Sequence, residues 1–293
     1  MISGMRPYCL SVLMFAALLF TRAAAAQVPD TVSFDSADGK VKLTGYLYLP
    51  DVKTWPGPRP AVVLLHGRSG VFSSTTKKYD ATTLAARTTL WGKFWAERGY
   101  IGLYVDTFGP RGYAKGFEAG TNNGSRPPEI NEITIRPHDA YMGLKFLRTR
   151  GDVQKDRVFL QGWSNGGSAA LSTMAEKNTA MYWATADTGF RAAIAVYPAC
   201  TPVTKFFGSN YRTYAPLLLL IGTQDEEVSY PNCEKLAQGS RTGDVEFVRY
   251  PGATHSYDTP IPKRTAVAAN VDATADTMRR AEAFFAKFLS PAN

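Results

Sequence analysis

Histidine and cysteine are scarce in this chain, with three of each among its 293 residues. They form no cluster with the spacing of metal ligands, so we expect neither a metal nor an organic cofactor. The formal net charge is +8, but the basic residues are scattered and no run of them would track phosphates, which argues against nucleic-acid binding. Internal repeats and low-complexity blocks are also absent. The full sequence has 45% hydrophobic content, which is enough for one large α/β domain, expected at residues 27–293.

The chain also lacks an apolar run long enough to span a membrane, and this affects how the N-terminal segment is interpreted. Residues 1–26 have a positive Arg6, an apolar stretch at 9–20 and small residues at 23–26, the layout of a secretory signal peptide. The apolar stretch is about 12 residues long, too short to span a bilayer comfortably. An uncleaved anchor is therefore the less favoured alternative, and no stable membrane anchor is expected. We predict export, to the periplasm or the medium, after cleavage near Ala26.

A strand, a sharp turn and a helix are predicted around Ser164. The apolar run at 158–160 indicates a buried strand, and it leads into Gly162-Trp163-Ser164-Asn165-Gly166, a match to G-x-S-x-G. Small residues from Ser168 onward indicate a tightly packed helix. On such a turn the serine hydroxyl projects above the sheet, and the N-terminus of the helix favours an oxyanion. Because G-x-S-x-G also occurs by chance, a glycine-rich connection without chemistry is the alternative.

Strands and helices alternate through most of the chain, which predicts a doubly wound, mostly parallel sheet with helices on both faces. Further apolar runs that predict parallel strands lie at 61–65, 100–105, 192–196, 217–221 and 245–250. Helices are predicted at 79–98, 137–150, 231–239 and 273–289. Near the N-terminus, segments 31–34 and 41–49 flank the turn residues Asp38-Gly39 and predict an antiparallel hairpin. Alternation in the second segment predicts that one of its faces is buried, while Tyr46 and Tyr48 lie on the other.

A serine hydroxyl becomes a good nucleophile only when a histidine, itself held by a carboxylate, takes its proton. In a sheet with this kind of turn the chain order is serine, acid, histidine. Of the three histidines only His255 follows Ser164, and it lies in a loop just after a predicted strand. Asp225 comes shortly after an apolar run and is the preferred acid. Glu226 and Glu227 are rivals, one and two residues further along the turn.

Two backbone amides would complete the site by stabilising an oxyanion. The run at 61–65 leads into His66-Gly67-Arg68, a glycine-bearing loop at the place that supplies one of the two donors. Position assigns this donor to the amide of Arg68, and the other to the amide of Asn165, directly after the nucleophile. His66 lies at the mouth of its strand, far ahead of the turn, so a structural role is favoured over that of a base.

The polar, glycine-rich region 113–131 is long for a loop inside a compact domain. Loops of this length are usually functional, and a lid over the pocket is one role that we consider. Arg111 and Arg126 are candidates for recognising a carboxylate group on the substrate, with plain solvent exposure as the alternative. The basic net charge also suggests a mild preference for anionic substrates.

Two cysteines, Cys200 and Cys233, remain once the predicted signal peptide is removed. Each follows the end of a predicted strand on the side where the active site would lie. An exported protein can keep a disulfide, so we predict a bridge between them. Two free buried thiols are the alternative.

Several passages together resemble the dienelactone hydrolase family of the α/β-hydrolase superfamily. The likeness rests on residues 62–70 with their His-Gly start, 106–112, 136–147, 162–167, 222–228, and 250–257 with Tyr-Pro-Gly-Ala-x-His. It covers nearly the whole chain after the predicted signal peptide. The resemblance implies an α/β-hydrolase fold and a triad of Ser164, Asp225 and His255.

The chain departs from the founding dienelactone-cleaving members of that family in two places. Those founding members use a cysteine as the nucleophile, where this chain has Ser164. They also have a distinctive carboxylate in the loop that supplies the first oxyanion donor, where this chain has His66 and Gly67. We therefore expect a more general hydrolase of small esters or lactones that works through an acyl-enzyme. A peptidase-like or other acyl-transfer enzyme, or a non-catalytic binding protein of the same fold, are the alternatives.

Overall fold

Eight strands form one sheet in this computed structural model, which describes residues 28–121, 124–177, 185, 187–241 and 244–290. The strands are β1 (Asp30–Asp35), β2 (Lys42–Tyr48), β3 (Arg59–Leu65), β4 (Ile101–Asp106), β5 (Val153–Trp163), β6 (Ala193–Val196), β7 (Leu217–Gly222) and β8 (Val245–Tyr250). Their order is β1-β2-β4-β3-β5-β6-β7-β8. The pairs β1–β2 and β2–β4 are antiparallel and the others are parallel. The predicted sheet with its N-terminal hairpin is thereby confirmed.

Helices cover both faces of this sheet. They are α1 (Ala86–Glu97), α2 (Arg136–Thr149), α3 (Asn165–Met174), α4 (Cys200–Phe207), α5 (Tyr230–Gln238), α6 (Pro262–Thr265) and α7 (Ala268–Ala286). On one face, Phe159 and Trp163 of β5 contact the rings of Phe285 in α7 and Trp91 in α1. On the opposite face, Gly143 lets α2 pack closely against β3 and β4. The central strands are buried on both sides, which explains their continuous apolar runs.

Several boundaries differ from the sequence-based expectations. Helix α1 begins at Ala86 rather than near 79, because the preceding residues form turns in which the amide of Thr83 bonds to Asp80 and that of Ala85 to Val71. Helix α4 was not predicted, and α7 begins at Ala268, earlier than expected. The shifted starts of α1 and α7 lie at the ends of elements, where local sequence signals are weakest, whereas α4 is a short helix that the sequence analysis missed.

The face of β2 predicted to be buried is buried, and from Gly45 to Tyr48 the other face is buried as well. Tyr46 and Tyr48 are 3% and 0% exposed, because the sheet is covered at this place as well. The ring of Tyr48 lies against Gly92 of α1, and the ring of Tyr46 meets Phe72 edge-on at 5.8 Å.

Further contacts and segments bear on the predicted disulfide, the long loop and the N-terminus. A disulfide joins Cys200 at the start of α4 to Cys233 in α5, with 5.1 Å between their Cα atoms. The long loop approaches the segment after β3, since the amide of Phe117 donates to the carbonyl of Arg68 (2.9 Å). The predicted signal peptide lies outside the described residues. Among the described helices none combines the length and apolarity needed to cross a membrane.

Candidate active site

Ser164 occupies the sharp turn between β5 and α3. Its backbone is strained, with φ 53° and ψ −118°, and its amide donates to the carbonyl of Val196 on β6 (2.9 Å). Glycine is required on both sides of it. A Cβ on Gly162 would overlap the carbonyl of Gly166, and one on Gly166 would overlap the carbonyl of Leu65. The close approach of strand, turn and helix thus places the serine hydroxyl at the C-terminal edge of the sheet.

His255 and Asp225 meet Ser164 at this edge. Nε2 of His255 lies 2.9 Å from Oγ of Ser164, and Nδ1 lies 2.8 Å and 3.0 Å from the two carboxylate oxygens of Asp225. His255 follows β8 and Asp225 follows β7, and these two strands are neighbours in the sheet. The imidazole is almost fully buried, and the ring of Tyr197 packs against it edge-on at 4.9 Å. Carboxylate, imidazole and hydroxyl therefore form one line of hydrogen bonds, the arrangement in which a histidine can activate a serine.

The two rival carboxylates have other partners. Glu226 accepts a hydrogen bond from the backbone amide of His255 (2.8 Å) and pairs with Arg264 (2.8 Å). Burial by itself would raise the pKa of Glu226, but these two partners outweigh it and hold the pKa below its ordinary value. Glu227 forms a two-pronged ion pair with Arg68 (2.8 and 3.0 Å), and its Oε2 lies 3.7 Å from Nε2 of His255. The carboxylate that contacts Nδ1 of His255 is thus that of Asp225, the acid preferred from the sequence.

The amides of Arg68 and Asn165 lie on segments that flank the serine. Asn165 is the first residue of α3, where an amide has no acceptor within the helix. The loop after β3 passes close to Ser164, since a Cβ on Gly67 would lie 3.5 Å from the Cβ of this serine. In the described part of the chain the amide of Arg68 donates to no acceptor. Both amides are therefore available beside the serine.

A buried arginine links these two segments. Arg136, the first residue of α2, is 0% exposed, and sequence reasoning did not single it out. Its Nη2 donates to the carbonyl of His66 (2.8 Å) and its Nη1 to the side-chain oxygen of Asn165. Burial lowers the pKa of Arg136 to about 10, against the opposing effect of Glu132. At neutral pH this side chain is a charged cross-link beneath the site.

His66 lies beside this cross-link in its neutral form. Its Nε2 accepts from the amide of Thr107 (3.3 Å), so the proton resides on Nδ1, which donates to the carbonyl of Gly67 (2.7 Å). Burial, and then the charge of Arg136, hold the pKa of His66 well below its ordinary value. Both ring nitrogens have backbone partners, Gly67 in the same loop and Thr107 directly after β4, as suits a structural residue.

A cavity of about 280 Å³ opens beside Ser164, and His255 lines it too. Arg87 of α1 lines it too, although the sequence offered no signal for this residue. Its Nη1 donates at 3.1 to 3.3 Å to the hydroxyls of Tyr197, Ser256 and Thr259. In the described residues its Nε and Nη2 have no hydrogen-bond partner, and Nη2 lies 3.3 Å from where a Cβ on Gly67 would stand. The cavity therefore contains a positive charge with donors to spare.

Arg111 and Arg126, the residues expected to recognise a carboxylate, do not line this cavity. Arg111 forms a two-pronged ion pair with the buried Asp139 (2.8 and 3.0 Å). Arg126 donates to Thr121 and lies 3.8 Å from Glu132. These contacts with the protein's own side chains do not support a role in substrate binding. Across the described ranges, no three acidic, histidine or cysteine side chains are grouped as metal ligands would be.

The doubly wound sheet, with its serine turn after β5 and its acid and histidine after β7 and β8, defines the α/β-hydrolase fold. Two solved structures share it. A protein of Klebsiella pneumoniae assigned as a dienelactone hydrolase matches 88% of this chain and 100% of its own, with 18% identity and a TM-score of 0.64. Esterase 2 of Thermogutta terrifontis matches 92% of this chain and 98% of its own, with 18% identity and a TM-score of 0.63.

Sequence comparison identifies the family within this fold. The model of the dienelactone hydrolase family matches residues 43–289, so the chain belongs to that family of hydrolases. Human dipeptidyl peptidase 8 is 26% identical in an alignment of 256 residues that covers 79% of this chain and 26% of the human protein. Quorum-quenching protein AidA of Acinetobacter baumannii is 28% identical over 152 residues, which are 52% of this chain and 41% of AidA. The chain thus spans less than half the length of either relative.

Proposed function

We propose that this protein is an exported serine hydrolase that cleaves carboxylic esters or lactones. The observation that carries the proposal is the line of hydrogen bonds from Oγ of Ser164 through the imidazole of His255 to Asp225, at 2.9 Å and 2.8 Å. Membership of the dienelactone hydrolase family supports hydrolysis, and the likeness in fold to an esterase is in keeping with it.

In the first half of the reaction, Nε2 of His255 takes the hydroxyl proton of Ser164 as Oγ of the serine attacks the carbonyl carbon of the ester. Asp225 holds the proton on Nδ1 and stabilises the imidazolium that forms. The amides of Asn165 and Arg68 donate to the oxyanion, and one such donor typically lowers the barrier by about 3 kcal/mol. The imidazolium then protonates the leaving alcohol, and the acyl group remains on the serine.

In the second half, water repeats these steps against the acyl-enzyme. Nε2 of His255 takes a proton from the water molecule as the water oxygen attacks the acyl carbon. The amides of Asn165 and Arg68 also donate to the oxyanion that forms in this step. Collapse of this intermediate returns the proton to Ser164 and releases the acid. A lactone would follow the same route, with the alcohol and the acid released as one molecule.

The cavity favours a small substrate that carries a negative charge. Arg87 lines it, and in the described residues the Nε and Nη2 atoms of this guanidinium have no hydrogen-bond partner. Replacing Arg87 by Gln should raise KM about tenfold or more for a p-nitrophenyl ester with a terminal carboxylate, because charged hydrogen bonds are lost. KM for the matching uncharged methyl ester should stay within about twofold. Equal changes for both esters would contradict the anionic preference.

The central experiment compares hydrolysis of p-nitrophenyl butyrate by the wild type and by Ser164→Ala. We expect kcat to fall about 10⁴-fold or more, because the acyl-enzyme cannot form. Thermogutta terrifontis esterase 2 is phosphorylated by paraoxon, so we expect paraoxon to add one phosphoryl group to Ser164 here, detectable by mass spectrometry. An active Ser164→Ala variant would refute the assignment.

The same experiment separates the rival functions. The similarity to dipeptidyl peptidase 8 is the reason for including aminoacyl p-nitroanilides. Hydrolysis of these amides with a kcat/KM comparable to that of the esters would favour a peptidase. A protein that neither turns over esters nor reacts with a fluorophosphonate would be a binding protein.

Export is proposed from the signal-like segment at 1–26 and is in keeping with the Cys200–Cys233 disulfide. N-terminal sequencing of protein recovered from the periplasm should start at Gln27. Recovery of the chain from the cytoplasm with Met1 intact would contradict this.

A further inference from the structure

A buried carboxylate lies three residues after His255 and has no part in the chemistry proposed above. Asp258 is 2% exposed, and it accepts hydrogen bonds from three buried aromatic side chains. Its Oδ2 accepts from the indole N–H groups of Trp91 (2.7 Å) and Trp163 (2.8 Å), and its Oδ1 accepts from the hydroxyl of Tyr197. We call these four residues the Asp258 cluster.

The Asp258 cluster joins four separate segments of the chain. Trp91 belongs to α1, and Trp163 is the last residue of β5, directly before Ser164. Tyr197 directly follows β6, and Asp258 shares its loop with His255. One carboxylate therefore connects the segment that carries the nucleophile to the segment that carries the base.

The charge of this carboxylate is balanced nearby. Nη1 of Arg87 donates to the hydroxyl of Tyr197 (3.1 Å), which in turn donates to Asp258, so a single hydroxyl group connects the cation to the carboxylate. A buried carboxylate is costly unless its hydrogen bonds and charge are compensated. Three donors and an adjacent guanidinium meet both requirements. Such a cluster has one low-energy arrangement, because removal of any donor leaves a buried charge under-satisfied.

Backbone strain is concentrated at the same place. Among the described residues, the non-glycine positions with positive φ are Ser164 (53°), Tyr197 (39°) and Ser256 (55°). Ser164 follows a cluster member along the chain, Tyr197 is a member, and Ser256 lies between His255 and Asp258. Strained conformations of this kind persist only where the surrounding structure over-determines them. The Asp258 cluster supplies that restraint on both sides of the line from serine to histidine.

We propose that Asp258 is a positioning residue, which holds Ser164 and His255 at the separation and angle needed for proton transfer. The proposal rests on the function proposed above. It implies that a weakened cluster slows the chemical step and leaves substrate binding largely unchanged. A merely structural role would instead lower stability with no specific effect on kcat.

Helix α1 offers a matched control for this distinction. Trp95 lies one turn after Trp91 and is also 0% exposed. Its indole N–H donates to the side-chain oxygen of Gln161 (2.8 Å), outside the Asp258 cluster. Trp91→Phe and Trp95→Phe therefore each remove one buried indole hydrogen bond from the same helix.

The experiment measures Tm, kcat and KM of both variants with p-nitrophenyl butyrate. Titration with a fluorophosphonate counts the active sites, so that kcat is not lowered by misfolded protein. We expect similar losses in Tm, whereas only Trp91→Phe should lower kcat, about tenfold or more, because small misplacements of reacting groups are costly. KM should stay within about twofold in both. Tyr197→Phe should behave as Trp91→Phe does, and Asp258→Asn should show the largest loss of kcat.

Equal kcat values per active site for the two tryptophan variants, or a change confined to KM, would overturn the positioning role even if Asp258→Asn fails to fold. A different outcome would overturn the proposed function itself, namely a wild type that neither hydrolyses esters nor takes the fluorophosphonate label.

Discussion

At the scale of single residues, three consecutive carboxylates have three different partners. Asp225 reaches Nδ1 of His255, and its Oδ1 is held by the backbone amides of Glu227 and Val228 at 2.9 Å. Glu226 instead holds the backbone of the histidine loop. Glu227 pairs with Arg68, which lines the cavity. Position along the turn, rather than residue type, determines which carboxylate can serve the base.

Replacement of the acid tests this assignment. Asp225→Asn should lower kcat for p-nitrophenyl butyrate by about 10⁴-fold, the loss seen when a triad aspartate is replaced by its amide and the histidine takes the wrong tautomer. Glu226→Gln is the control, because a glutamine oxygen can still accept from the amide of His255. Its kcat should stay within about tenfold of the wild type. Comparable losses in both variants would mean that the acid is misassigned.

The buried, neutral His66 should make the free energy of unfolding depend on pH. Its pKa in the folded state lies well below the unfolded value of about 6.5. As pH falls below about 6.5, the unfolded chain binds a proton that the folded chain excludes, so the free energy of unfolding decreases, by up to about 1.4 kcal/mol per pH unit. Above that pH the group contributes no dependence. Urea unfolding at pH 7, 6 and 5 should therefore show a shallower slope for His66→Gln, and parallel curves would contradict the prediction.

At the scale of elements, the turn from β5 to α3 depends on close backbone contact with β3. The position of Gly166 leaves no room for a Cβ, because the carbonyl oxygens of Leu65 and His66 lie against it. Helix α3 is buried along its whole length, so it cannot shift outward to relieve such an overlap.

Gly166→Ala should therefore lower the free energy of unfolding by about 2 kcal/mol or more, the range of an overpacked core. Gly151→Ala is the matched control, because a Cβ there would meet no atom within 4 Å. Thermal unfolding of the two variants checks the difference. Similar Tm values would show that the turn can relax.

At the scale of the whole molecule, the disulfide joins two helices that follow neighbouring strands. Cys200 and Cys233 are 33 residues apart, and closing a loop of that order stabilises a fold by about 3 to 4 kcal/mol. Replacing both cysteines by serine should cost about this much in urea unfolding. Ester kcat at 25 °C should stay within about threefold, because neither cysteine contacts the triad. A native protein with two thiols titratable by Ellman's reagent would contradict the bridge.

Local sequence patterns predict the sheet of this protein better than they predict its buried polar contacts. The sheet, its hairpin and most strands were predictable, because alternation and continuous apolar runs report local burial. The start of α1 was misplaced, since Leu84 continues its apolar periodicity although turns precede Ala86. Arg87 and Asp258 were missed, because their partners are distant in sequence. Asp258 accepts from Trp91, 167 positions away, and Arg87 donates to Tyr197, 110 positions away. No local pattern reports a pairing of that kind.

Taken alone, the sequence determined the order of strands and helices, the glycines that a tight turn requires, and the chain order of Ser164, Asp225 and His255. These are short-range properties, set by backbone preference and by the pattern of apolar side chains. The tertiary structure alone decided which carboxylate meets the imidazole, which arginine lines the cavity and which buried groups restrain the loops. Those contacts depend on how distant segments pack against one another, and burial then makes each pairing of charges and hydrogen bonds strongly preferred.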